Sequence, residues 1–454
     1  MPRMTTVLRA TLTAALLLTP TLHALTLDQT LGGCGGLAPE RTINATPSTY
    51  KSLLSTLKPG DRLLLSAGTY TQQLVVWNLN GQANRCIVIE GPASGSPALF
   101  TGSNSYNTIS LKNNSYLVFR NLSLDGKGLL GDGVKVEAGS TYAHHITVER
   151  LKLRGYGGDL QRVGVSTKSK AWNFVVRYLD IQGAGVGMYF GSSNGTAEFA
   201  NSLIEHNLVY DSRLYDIQIK HQLSRDTSIG MPYTGTTVIR YNVLSKEHNS
   251  ATSTDARPNL LVGHWPLSGA GSNDIYQIYG NLFWQNPAES LFQGEGNIAL
   301  HDNLFVQRLF GRTIRIQPHN DVPKRIDIYN NTIVAMGEGI LITGANTAYP
   351  QRVRANAVFA AKPISGGQQA GNIIGAYSAA SQYLNNPGGS LGSTLDLYPK
   401  AGKLEGSAVD TSYASSLVDW SLDFNRLPRL TTFRGAYSGD SVNPGWRPAL
   451  ALMP

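Results

Sequence analysis

Tyr276-Gln-Ile-Tyr-Gly-Asn-Leu-Phe-Trp, Ile298-Ala-Leu-His-Asp-Asn-Leu-Phe-Val and Ile326-Asp-Ile-Tyr-Asn-Asn-Thr-Ile-Val are variations on one pattern. Each has a short alternating strand, a polar corner holding asparagine, and a second apolar strand. Moving outward in both directions, the pattern recurs until nine segments align between Tyr116 and Phe359. Asparagine marks the corner at Asn121, Asn207, Asn242, Asn281, Asn303, Asn331 and Asn356, with Arg150 and Tyr178 in the other two. Asparagine suits such a corner because it tolerates a left-handed backbone and bonds to nearby main chain. Stacked asparagines can also pair along a ladder. Successive corners lie between 22 residues (Asn281 to Asn303) and 39 residues (Asn242 to Asn281) apart. A coil of three short strands with turns uses about that much chain, so the repeat predicts an all-β, single right-handed parallel β-helix. Each coil adds about 4.8 Å, so nine coils give a rod on the order of 40 Å. The widest spacings place insertions near residues 223–236 and 246–272, on the face where a solenoid carries its working loops.

The rest of the chain fits this frame. Its 454 residues include 48 glycines, and only 15% are charged while 41% are apolar. That composition supports a packed core with many turns and argues against wholesale disorder. Residues 46–57 predict a capping helix over the open end of the stack. Beyond residue 390 the rhythm fades into a closing segment folded back on the coils. The expected organisation is a signal peptide at 1–24, an N-terminal cap and first coils at 25–115, the β-helix at 116–390 and the closing segment at 391–454. Arg3 and Arg9, the apolar run 10–18 and Leu22-His-Ala carry the signal-peptide reading, which implies a secreted or periplasmic protein. The apolar run is too short to span a bilayer. Two cysteines exclude a disulfide-rich scaffold and a four-cysteine metal site. Cys34 and Cys86 are either one disulfide or two buried thiols.

The formal charge is +8, and removing Arg3 and Arg9 leaves 36 basic against 30 acidic residues, or +6. A basic exported protein favours an anionic partner. Zinc-finger spacing, RNP patterns and basic helices are all missing, so an anionic polysaccharide fits better than nucleic acid. A monomer is expected.

The segment Pro59-Gly-Asp, with Ala67-Gly-Thr-Tyr, then Cys86-Ile-Val-Ile-Glu-Gly and Ser115-Tyr-Leu-Val-Phe-Arg-Asn-Leu, resembles exported right-handed β-helix polysaccharide lyases. The pattern is nearest to the chondroitinase B and alginate lyase family. The resemblance covers roughly residues 46–345 and is specific for fold and export, while the same scaffold carries several activities.

A second alignment, of Gly187-Met-Tyr-Phe-Gly, Asp216-Ile-Gln-Ile-Lys-His, Asn259-Leu-Leu-Val-Gly-His and Thr313-Ile-Arg-Ile-Gln, picks out a candidate site. Strand alternation turns Ile217 and Ile219 inward and Asp216, Gln218 and Lys220 outward. Stacking then predicts Tyr189, Asn259 and Arg315 on the same outer face, with His221 beside Lys220 and with Arg257 and His264 flanking the next coil. A lyase acting on a uronic acid must neutralise the carboxylate and remove the adjacent proton. By the resemblance, Lys220 is the base and Arg257 assists, gripping the carboxylate. His264, His221 or Tyr189 returns a proton to the leaving oxygen. Gln218, Asn259 and Arg315 complete the expected substrate contacts. The family's calcium ligands stand seven and five residues before the lysine, where this chain has Arg213 and Tyr215. Two arrangements stay open: calcium held through Asp216 and Asn259, or arginines neutralising the substrate alone. Glu295, between glycines, reads as a structural turn carboxylate.

The expected function is therefore a secreted polysaccharide lyase cleaving a uronic-acid-containing polymer by β-elimination. The alternatives are a non-catalytic carbohydrate-binding surface protein and a glycoside hydrolase on the same fold. The sequence holds no obvious pair of carboxylates on neighbouring coils for the hydrolase.

Overall fold

From Arg41 onward, short strands follow one another in a fixed order, and each pairs in parallel with its counterpart one coil away. The computed structural model describes residues 27–34, 38–139, 142–309 and 311–454. The expected signal peptide at 1–24 lies outside them. Three long sheets result. The first runs from Arg41–Ala45 to Gln368–Ala370, the second from Gly68–Tyr70 to Ile373–Gly375, and the third from Leu74–Trp77 to Lys362–Ser365. The fold is a parallel β-helix. Among the described residues the third sheet has eleven strands, so eleven coils are complete there. Two of them, at residues 61–77 and 87–112, precede the nine repeated segments. Their first corners carry no asparagine, which hid them from the repeat.

Strand alternation builds the core. Ile217, Ile219, Leu260, Val262, Phe292 and Ile316 are fully buried and belong to one apolar cluster running from Ala45 to Ala360. Like residues stack on like: the Phe283 and Phe305 rings lie 4.4 Å apart and nearly parallel. Burial of these side chains drives the assembly.

The corner between the first and second sheets corrects the sequence alignment by one residue. The left-handed residues are Asn121, Arg150 and Tyr178, then His206, Tyr241, Gly280, Asp302, Asn330, Ala355 and Gly371. The repeated asparagines from Asn207 onward stand one place later, in register with Leu151 and Leu179. Their role is the ladder rather than the left-handed turn. Asn207 donates to Asn242 at 2.9 Å, Asn242 to Asn281 at 2.9 Å, and Asn281 to Asn303, Asn303 to Asn331 and Asn331 to Asn356 at 3.0 Å each. Asn356 continues the ladder to Asn372 at 3.0 Å. Asn121, by contrast, does occupy the left-handed corner itself, which is why the two kinds of asparagine looked alike.

Both termini pack on the first two sheets. Leu384, Leu397, Phe424 and Tyr437 share an apolar cluster with Leu282 and Leu304. Arg429 bonds the buried Asp302. The helix Leu27–Gly32 lies on the same side, where Asp28 meets Arg177, and Cys34 is joined to Cys86 in a disulfide. The capping helix is Tyr50–Leu54; it buries Tyr50 against Tyr70 and Phe100. Among the described residues, no third-sheet side chain joins the cluster formed by the termini. Loops from both edges of the third sheet cover its middle instead. The long stretch expected at 246–272 is two such loops separated by the strand Leu260–Val262. Arg225 and Asp274, both fully buried, tie the loop after Leu260–Val262 to the loop after Ile217–Ile219. No helix among the described residues is long and apolar enough to cross a membrane.

Candidate active site

The outer face of the third sheet carries two columns of side chains. Tyr189, Gln218, Leu261, Gln293 and Arg315 are in register on successive coils. The second column begins where each strand ends. Lys168, Gly191, Lys220, Gly263 and Glu295 each donate their main-chain N–H to the last or next-to-last strand carbonyl of the preceding coil. Lys220 thus stands between two glycines, with no side chain above or below it in its column.

A cavity of about 460 Å³ opens beside Lys220, lined also by Tyr215, Arg257, Glu289, Glu295 and His319. Lys220 is half-buried, and that burial, with Arg257 adding to it, lowers its pKa from the ordinary lysine value; Glu295 opposes the shift. Arg257 is fixed from behind. Lys246 Nζ donates to its carbonyl at 2.6 Å and Asn286 Nδ2 at 2.9 Å. Its own Nη1 donates to the carbonyls of Thr254 and Ala256 at 2.7 Å. Tyr215 has its pKa raised by burial, against the charge and hydrogen bond of Arg257. Glu295 is buried, and its Oε2 accepts the N–H groups of Asn320 at 2.7 Å and Asp321 at 3.1 Å. A second cavity, of about 390 Å³, lies under the N-terminal helix. Its charges are already matched, Arg85 to Glu40, Arg120 to Glu90 and Arg177 to Glu149, so it offers no free group for chemistry.

Lys220 and Arg257 are therefore brought together, and Gln218, Tyr189 and His221 stand beside them. Tyr189 lies under the ammonium of Lys168, 3.3 Å from its ring centre. His221 is half-buried, and its pKa is lowered by burial and by Lys220. Arg315 sits three coils from Gln218, about 14 Å away, and bonds Gln317 at 2.8 Å rather than lining the cavity.

Three expected positions are corrected. His264 is buried beyond the end of the strand Leu260–Val262, one ring nitrogen against the Trp265 carbonyl and the other 2.9 Å from that of Val322. It faces no cavity. Asn259 is fully buried at the corner, where it accepts from Asn286 at 3.0 Å. Asp216 is fully buried too, because the loop 246–258 folds over the corner and covers what alternation turned outward. Asp216 packs beside Ser212, Asn259 and Lys246, and burial pushes its carboxyl well above the usual range. Burial likewise lowers Lys246 to about 8, although Asp216 opposes this. The donors here do not fit calcium. The Lys246 ammonium is near enough for its charge to act on Asp216 but bonds the Arg257 carbonyl instead of forming an ion pair, and the described residues hold no group of three His, Cys, Asp or Glu able to take a metal.

Lys246, Glu289 and His319 carry no sign of the site in sequence. Tyr215 had one available signal, its place where the lyase family has an acid. Glu295 was visible but read as structural; it is a buried turn acceptor that also lines the cavity.

No protein-family model and no curated protein matches the chain. Among solved structures it is similar to a GH136 lacto-N-biosidase from Eubacterium ramulus, at 12% identity and TM-score 0.50, over 74% of this chain and 68% of that one. It is also similar to a PL6 family alginate lyase, at 14% identity and TM-score 0.48, over 73% of this chain and 51% of that one. A pectate lyase matches at 12% identity and TM-score 0.37, over 89% of this chain and 91% of that one. At these identities the likeness establishes the parallel β-helix and nothing finer. The chain spans about half the length of the alginate lyase it matches.

Proposed function

We propose that the protein is an exported polysaccharide lyase that cleaves a uronic-acid-containing polymer by β-elimination. One observation carries the reading: Lys220, with its pKa lowered, shares one cavity with Arg257. Arg257 pairs with the sugar carboxylate and neutralises it, which makes the adjacent C–H acidic. Neutral Lys220 takes that proton, and the electron pair forms the new C=C bond as the C–O bond to the next sugar breaks. The leaving oxygen takes a proton from Tyr215 or His319, both of which line the cavity. Atoms balance without water or an external oxidant. No step runs through a metal.

A hydrolase is the second reading, favoured by Glu289 and Glu295 lining the same cavity. The deciding experiment exposes the protein to alginate, pectate and glycosaminoglycans and follows both ultraviolet absorbance and new reducing ends. An unsaturated, absorbing product supports the lyase. Reducing ends without absorbance overturn it in favour of hydrolysis, and neither signal from any acidic polymer leaves a binding protein.

A further inference from the structure

Lys168 stands two coils before Lys220 in the same column, with Gly191 between them. Its surroundings are unusual for a lysine. Its ammonium rests 3.3 Å from the ring centre of Tyr189, and no carboxylate among the described residues forms an ion pair with it. The neighbouring acid, Asp132, pairs with Lys135 at 3.1 Å instead. Lys168 is half-buried; burial chiefly lowers its pKa to about 8, and Lys135 and Lys220 push it the same way against Asp132. The chain thus keeps a half-buried cation whose partners are the Tyr189 ring and the charge of Asp132, a carboxylate that already pairs with Lys135. Retaining such a charge costs stability unless something binds it.

Gly191 gives the site its shape. Its φ is +101°, and a Cβ there would lie 3.1 Å from Lys220 Cβ. Any side chain at 191 would therefore fill the space between the two lysines. Gly191 is itself buried, while Lys168, Tyr189 and Lys220 around it are part-exposed, so two lysines and an aromatic ring share one patch of the outer face. A ring beside a cation is a surface on which a sugar can lie while its acidic group meets the charge.

From this juxtaposition we infer that Lys168, Tyr189 and Gly191 form a second anion subsite, which holds an acidic substituent of a sugar unit on the N-terminal-coil side of Lys220. The inference rests on the polysaccharide reading above and deepens it. The protein selects polymers whose acidic groups recur at the spacing of the two lysines, about 10 Å for two coils. The ligand chemistry is an anionic group on a pyranose, carboxylate or sulfate.

The test measures binding of acidic disaccharides and hexasaccharides, carboxylate-only from alginate and pectate and sulfated from glycosaminoglycans, by calorimetry. The proteins are the wild type, Lys168→Met and Lys168→Arg, each also carrying Lys220→Ala so that turnover does not intervene. Lys168→Met is expected to weaken hexasaccharide binding about tenfold and to leave disaccharide binding nearly unchanged, with Lys168→Arg restoring most of the loss. The thermal midpoint of each variant, equal to or above that of its parent, shows that the fold is kept. The oligosaccharide series that responds distinguishes carboxylate from sulfate. Equal hexasaccharide binding by Lys168→Met and its parent overturns the subsite while leaving the lyase reading intact. Binding that depends on Lys168 in a protein that makes no unsaturated product sustains the subsite and removes the lyase. No binding of any acidic oligosaccharide by the wild type overturns both.

Discussion

The asparagine corner and the site column are both built from one residue per coil, yet they differ in what each coil adds. At the corner the residue repeats from Asn207 to Asn372, and each side chain satisfies its neighbour. Asn281, for example, donates to the carbonyls of Ile239 and Tyr279 and to Asn303, all within 3.0 Å. On the third sheet the column changes at each step, from Lys168 through Gly191, Lys220 and Gly263 to Glu295. Repetition lets a stack close its own hydrogen bonds and stabilise itself. A column that stops repeating leaves Lys168 and Lys220 without ion-pair partners among the described residues, and these are the groups set to meet a ligand. In a solenoid, breaks in the repeat mark function more reliably than the repeat does.

Lys220→Ala tests that contrast most severely. Loss of the base is expected to lower turnover about a thousandfold with the unfolding midpoint unchanged, as read by product absorbance and a thermal melt. Asn281→Ala does the opposite. It removes the acceptor of the buried Asn242 N–H and the side-chain donor to the Ile239 carbonyl and costs about 3 kcal/mol, seen as a lower denaturant midpoint, while turnover per folded molecule is kept. The pH profile sharpens the site half. Lys220 acts neutral, so the rate rises with pH as its proton leaves, and the lowered pKa places that rise below pH 10.5, the ordinary lysine value. A rise centred at or above that value would show that burial leaves the lysine untuned. His264→Gln is expected to leave turnover per folded molecule unchanged, since neither ring nitrogen faces the cavity. The smallest effect is expected from a chelator, which should not change the rate, because the described residues gather no group of three His, Cys, Asp or Glu able to take a metal.

Legibility followed the same division. The nine repeats were readable because burial imposes a period on apolar residues, and the two N-terminal coils escaped because no asparagine flagged them. The one-residue slip at Asn207 arose because a left-handed corner and a ladder position accept the same residue type. Strand alternation placed Gln218 and Lys220 on the correct face. It failed at Asp216 and Asn259, where a loop covers the outer face, and at His264, which lies beyond the strand end where alternation gives no direction.

The amino-acid order by itself determined the coil, its stacking direction and the column in which Lys220 stands, because period and burial are local properties of each segment. Tertiary structure alone decided which groups share a cavity with that lysine. Arg257, Tyr215, Glu289 and His319 come from loops of different length on different coils, and their meeting depends on how those loops fold over the sheet. Lys246 and Asp216 illustrate the reason: 30 residues apart in the chain, they are buried within reach of each other's charge only when the corner closes and water leaves.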